Sequence, residues 1–216
     1  MHGIARQDGT MTSPAGQQPS GVRRPRQARS IDSWERILEA GTKLLVEGGW
    51  EAMTITAVCK EAKVTAPTIY SRVDGLSGLF WAVYERGMQN VLTTQDSYLE
   101  EASETPRESL SRLSAVIDVV AKTFEEHKAF LQPVIRYASV NESLLGRGSA
   151  QSRALVQAMA DLLPGNDPRN AFEVCQTLYT EVVFRSMYGG TFLNDEGETF
   201  EEFESRLLRI VRARLS

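Results

Sequence analysis

Beyond residue 30, apolar residues return every three or four positions, the period of an amphipathic helix, and the chain reads as all-α with about nine helices. A first helix is expected over residues 30–47, with Ile31, Trp34, Leu38, Gly41 and Leu45 close to one face. Asp32 and Glu35 suit its first turn, and Gly48-Gly49 should stop it. The next two predicted helices are short. Thr54 can cap the first, in which Ile55, Val58, Cys59 and Ala62 keep helical spacing, and Lys63-Val64 forms the turn after it. Thr65 offers a second cap oxygen, Pro67 falls in the first turn of the next helix, and Ile69 and Val73 share its inner face.

A long helical pattern runs from about Leu76 to Glu101, striped by Leu79, Phe80, Val83, Tyr84, Gly87, Met88 and Val91. It is the natural mechanical link between the short helices on its N-terminal side and the helical segments on its C-terminal side. Thr105-Pro106-Arg107-Glu108 has the form of a capping box opening a helix to about Glu126. A helix over 127–139 contains Pro133, which should kink it or mark a late start. Further helices are expected over 149–163, from Asp167-Pro168 to Tyr188, and from a capping box at Thr199–Glu202 to about Leu215.

A helix with only Ile69 and Val73 to bury needs a scaffold. A helix-turn-helix supplies one while projecting its second helix into the DNA major groove. The order of features between Ile37 and Leu79 is an amphipathic helix, a Gly turn, a threonine, Val58-Cys59 and then Val64-Thr65-Ala66-Pro67-Thr68-Ile69-Tyr70. This run, roughly a fifth of the chain, resembles the DNA-binding region of the tetracycline-repressor (TetR-like) family of transcriptional regulators. Three residues depart from the family pattern: Lys63 for the turn glycine, Arg72 where histidine is frequent, and Leu76 for a phosphate-binding lysine.

The resemblance implies a palindromic double-stranded DNA operator, release by a small-molecule effector, and a homodimer. It matches Thr68 and Tyr70 to positions that hold phosphates, and Thr56, Ala66, Pro67 and Arg72 to positions that face base edges. Thr54, Thr65 and Ser71 complete the expected DNA-facing set. Tyr70 should position the helix, whereas the Arg72 fork could read guanine.

Charge sharpens this picture. The first thirty residues hold five arginines against Asp8 alone, while the whole chain is at −4, so the remainder carries −8. Arg23, Arg24, Arg26 and Arg29 stand directly before the helix-turn-helix and are read as a DNA-contacting arm. Attraction to phosphate is local, being screened beyond about 10 Å at 0.1 M salt. The expected organisation is a disordered tail over 1–22, a DNA-binding domain with its arm over 23–75, and a helical ligand-binding and dimerisation domain over 76–216.

The remaining chemistry is sparse. Cys59 and Cys175 each lie in an apolar helical pattern and are read as buried free thiols; with only His2 and His127 beside them, no metal site is expected. No cofactor and no catalytic constellation is expected either, and His127 reads as a helix-boundary or core residue. The acidic run from Asp195 to Glu204 reads as a solvated loop and helix start. No apolar run approaches membrane-span length and no signal peptide is evident, so a cytoplasmic protein is expected. Trp34 and Trp50 are read as core residues. Met88, Phe124, Phe130, Tyr137, Met159 and Phe184 could line an effector pocket, though such a stripe also serves as plain core. The last two helices, through Phe172, Tyr179, Val183, Phe203, Leu207 and Ile210, are expected to form an intermolecular four-helix bundle. A helical carrier or enzyme with a vestigial helix-turn-helix is the competing reading.

Overall fold

The computed structural model describes residues 28–107, 110–164, 167–193 and 195–215, with side chains from Ile31 onward. The expected tail, Arg23, Arg24, Arg26 and the Arg29 side chain lie outside the described residues. Those residues form nine helices: α1 (Ala28–Ala52), α2 (Ile55–Ala62), α3 (Ala66–Tyr70), α4 (Gly75–Glu104), α5 (Leu110–Glu126), α6 (Lys128–Ala138), α7 (Glu142–Leu162), α8 (Pro168–Tyr188) and α9 (Phe200–Leu215).

α1 runs to the glycine pair and breaks there. Gly49 adopts φ 71° and ψ −167°, a region that disfavours side chains, and a last short turn carries Trp50 and Ala52. Lys63 takes the left-handed conformation, φ 54° and ψ 48°, and its N–H caps the Cys59 carbonyl; the family's glycine is replaced without loss of the turn. Thr54 caps α2 as expected, accepting from the Ala57 N–H at 3.1 Å. Asp167 caps α8 through Arg169 and Asn170, and the Thr199–Glu202 box closes reciprocally at 2.8 and 3.2 Å.

One boundary differs from expectation and another is described in part. The Thr105 hydroxyl donates to the Ala102 carbonyl at 2.7 Å and closes α4; Glu108, the other half of the expected capping box, lies outside the described residues, which resume in α5 at Leu110. α7 begins at Glu142 instead of residue 149, because Asn141 accepts from the Leu144 N–H and starts the helix before Gly146 and Gly148 can break it. Pro133 sits inside α6 and ends neither side of it.

The core is continuous from Trp34 in α1 to Val211 in α9. α4 passes from the helix-turn-helix into the larger helical body, and α1 packs on both α4 and α6. At the end of α1, Trp50 stacks on Tyr137 of α6 at 4.4 Å and meets Phe80 of α4 edge-on at 5.1 Å. Trp50 is thus a structural aromatic, as is the buried Trp34. His127 marks the start of α6, its Nε2 2.8 Å from the Thr94 hydroxyl. Both cysteines are free; Cys59 is half-buried rather than buried, whereas burial pushes the Cys175 thiol up to about 12.

Phe203 and Leu207 point into the chain's own core, Leu207 being 0% exposed. The seam expected on α9 is therefore turned inward: α9 buries its apolar stripe against α5 and α8, so neither side chain can reach a second chain. The acidic run is also less solvated than expected. Glu198 is held by Arg206 at 2.8 Å and Arg185 at 3.3 Å, and both guanidinium groups lie over the Phe203 ring. Those arginines keep the Glu198 carboxyl below its ordinary range, Arg206 contributing most.

Candidate nucleic-acid interface and internal cavity

Helix α3 is five residues long and buries one of its own side chains, Ile69, completely. Its N-terminal Thr65 makes no side-chain cap bond; the hydroxyl instead meets that of Thr68 at 3.2 Å. Such a helix is placed by what lies beneath it. Ile69 and Val73 root it in the core formed with Val58 and Ala62 of α2.

The outer face is left free and polar. Thr54, Thr56, Thr65, Pro67 and Ser71 are exposed, Tyr70 is 50% exposed, and Ala66 and Thr68 are half-buried. The Ser71 hydroxyl donates back to the Thr68 carbonyl at 2.8 Å, which stiffens the end of the helix. Lys60 and Lys63 add exposed cations beside this face. The helix pattern alone did not single them out as DNA contacts, but two lysines on α2 and its turn are the usual phosphate chemistry. Glu61 is neutralised by Lys43 at 2.7 Å, whose bond and charge lower its carboxyl pKa.

Arg72 departs from this arrangement. It is 6% exposed and interacts within the chain, so its fork is not presented on the outer face. That burial argues against the base-reading role expected of it and for a positioning one. Arg72→Ala should then destabilise by about 1.5–3 kcal/mol, the worth of bonds to a charged donor. Its operator affinity should fall by a similar factor for every single-base operator variant. Relaxed preference at one base pair alone would restore direct reading. Leu76, in place of the phosphate-binding lysine, is half-buried against the core.

A cavity of about 420 Å³ lies in the larger helical body, walled by α4 to α8. Met88 and Phe124 line it as expected, joined by Tyr84, Val134, Tyr179 and Val183. The other four candidates do not. Phe130 sets the tip of its ring against Gly87, Tyr137 stacks on Trp50, Met159 is solid core, and Phe184 is exposed. For three of them the cause is rotation about the helix axis: Leu131, Ala138 and Val183, each one position from Phe130, Tyr137 and Phe184, face the opening instead. Tyr179 and Val183, expected at a dimer seam, also face the cavity; Phe172 and Ile210 are half-buried.

The surface left uncovered on this side is aromatic. Phe184, Tyr188 and Phe192 form a mutually contacting cluster with ring separations of 4.8–5.4 Å, and the neighbouring Leu193 is 82% exposed.

Comparison with known proteins agrees with this geometry. Residues 37–74 match the family described as bacterial regulatory proteins, tetR family. A helix-turn-helix-type transcriptional regulator of Mycobacterium tuberculosis is 27% identical over 149 residues, 60% of this chain and 71% of that one. A TetR-family transcriptional regulator from Mesorhizobium loti shares the fold with a TM-score of 0.64 at 17% identity, over 88% of this chain and 98% of that one. A Clostridium perfringens fatty acid metabolism regulator aligns with a TM-score of 0.58 at 15% identity, over 83% and 96% of the two chains. No helix among the described residues is long and apolar enough to cross a membrane. The α2–α3 pair thus matches the tetR family in sequence, and the larger helical body shares the fold of TetR-family transcriptional regulators.

Proposed function

We propose that this chain is a TetR-family transcriptional regulator: a non-enzymatic, homodimeric repressor, released from a palindromic operator when a small, largely apolar effector enters the cavity. One observation carries the reading: a single helix serves both sites. Val134, Ile135 and Ala138 of α6 line the cavity, while Tyr137 of the same helix stacks on Trp50 at the end of α1. A ligand that fits best with α6 displaced favours a state in which the Trp50 contact, and with it the α1–α3 head, is differently placed. Coupling requires only that difference in affinity between the two states. In the DNA-bound state the two α3 helices of a dimer would enter successive major grooves, about 34–36 Å apart. Labour is divided accordingly: residues up to 75, with the arginine arm, hold DNA, and the rest hold effector and partner.

The dimer face in this reading is the Phe184–Tyr188–Phe192 cluster with Leu193, an exposed apolar patch of the kind that marks a protein contact. Phe184→Glu with Tyr188→Glu should give a folded monomer at micromolar concentration in sedimentation velocity. A double variant that stays dimeric would move the interface elsewhere.

Function as a whole is tested by selecting fragments of genomic DNA on the purified full chain. Enrichment of one inverted-repeat sequence, lost when an apolar extract of the cells is added, is the expected outcome. Enrichment without symmetry, or a complex indifferent to every apolar fraction, contradicts the proposal.

A further inference from the structure

The chemistry of the cavity wall narrows what can enter it. Among the described residues no Asp, Glu, Lys, Arg or His lines the cavity. The nearest guanidinium, Arg147, lies 5.4 Å from the Tyr84 ring but outside the lining, and is paired with Glu85 at 3.2 Å. An ionised ligand would lose its hydration without gaining a counter-charge. The two tyrosines on the wall are neutral as well: burial raises the pKa of both Tyr84 and Tyr179.

Hydrogen bonding on the wall is nearly closed. Ser152 donates to the Gly148 carbonyl at 2.8 Å, and its oxygen sits 2.6 Å from the Tyr179 hydroxyl, which is thereby supplied with an acceptor. Thr123 donates to the Val119 carbonyl at 2.6 Å. Tyr84 donates to the amide oxygen of Gln151 at 3.0 Å, fixing the amide's orientation. That leaves two amides on the wall without an acceptor among the described residues: Gln95, and the Gln151 Nε2, whose orientation the Tyr84 bond sets. A half-buried amide held by its oxygen turns its donors to the cavity wall, where a ligand's acceptor oxygen can replace solvent as their partner.

We propose that the cavity binds an electrically neutral, largely apolar molecule bearing one uncharged acceptor oxygen, such as a ketone, ester or lactone, and that the Gln151 amide donates to that oxygen. This rests on the reading of the cavity as the effector site and adds the effector's chemical class. A volume of about 420 Å³ lies within the range of small-molecule sites.

Diphenylhexatriene, a hydrocarbon with no hydrogen-bonding group, serves as a fluorescent occupant of the full chain in the absence of DNA. 2-Decanone should displace it at a concentration at least tenfold below that needed for decanoate at pH 7.5. In Gln151→Leu the dye should bind within about twofold of wild type, while the ketone weakens about tenfold, as loss of one buried hydrogen bond predicts. Decanoate equal to or better than the ketone would overturn the neutral-ligand assignment. Unchanged ketone binding in a variant that still holds the dye would overturn the role of Gln151, and failure of the dye to bind wild-type protein would remove the site. The comparison of ketone with carboxylate needs no variant. Release of operator is measured separately: a ketone that binds with these preferences but leaves the DNA complex intact sinks the effector reading and leaves the ligand class standing.

Discussion

Ile69→Ala should abolish specific DNA binding while leaving the larger helical body folded. α3 has five residues, no side-chain cap at its start, and Ile69 as its one completely buried side chain. An isolated helix of that length does not form in water, so its position is a property of packing. Truncating a buried isoleucine to alanine removes about 2–5 kcal/mol. If α3 must be seated for DNA to bind, that loss corresponds to about 30-fold or more in operator affinity, at 1.4 kcal/mol per tenfold. Anisotropy titration against a labelled operator measures it. Circular dichroism and dye binding in the cavity should remain close to wild type. Affinity within threefold of wild type would mean that α3 is held by something other than its apolar face.

Gly87→Ala should destabilise the protein although alanine is the better helix former. In an unobstructed helix this exchange stabilises by about 1 kcal/mol. At Gly87, however, a Cβ would lie 2.1 Å from Cζ of Phe130 and 2.2 Å from its neighbouring ring carbon. The ring lies directly on the α4 backbone, and the next residue on each helix, Met88 and Leu131, lines the cavity. The ring must shift, and overpacking of this kind removes about 1–3 kcal/mol. Thermal unfolding should fall by about 2–4 °C for each kcal/mol in a chain of this size. Gly146→Ala in α7 is the matched control, because nothing lies within 4 Å of its Cβ; it should be neutral or stabilising. A rise in Tm for Gly87→Ala would contradict the packing of α6 on α4, and with it the route by which a ligand moves Trp50.

Element order was legible in the chain because local chemistry decides it. Thr54, Lys63, Asp167 and the Thr199–Glu202 box do in the structure what their types and spacing imply. The start of α7 was harder to read: Gly146 and Gly148 lie near it, yet the Asn141 cap oxygen and buried Leu144 outweigh glycine's weak helix preference. Direction of side chains was less legible. A stripe of Met and aromatic residues fixes that a helix is amphipathic, but not which neighbour each side chain meets. Tyr179 and Val183 therefore turned out to face a cavity, Leu207 the core, and Tyr137 the tryptophan of another helix. Arg72 carries the same lesson at smaller scale: just past a helix this short, one position separates the exposed Ser71 from a buried side chain. Gln151 lies in a polar stretch of α7 with no periodic signal of its own, and only its neighbours Tyr84 and Leu155 reveal it as part of a binding wall.

The central claim is that two copies of this chain grip one operator through α3 and surrounding cations. Titrating the full chain onto the fragment enriched from genomic DNA, at salt from about 50 to 200 mM, tests it directly. Saturation at two chains per duplex is expected, with log affinity falling linearly in log salt and at least a thousandfold preference over random DNA. One chain per duplex, or equal affinity for random DNA, would contradict it.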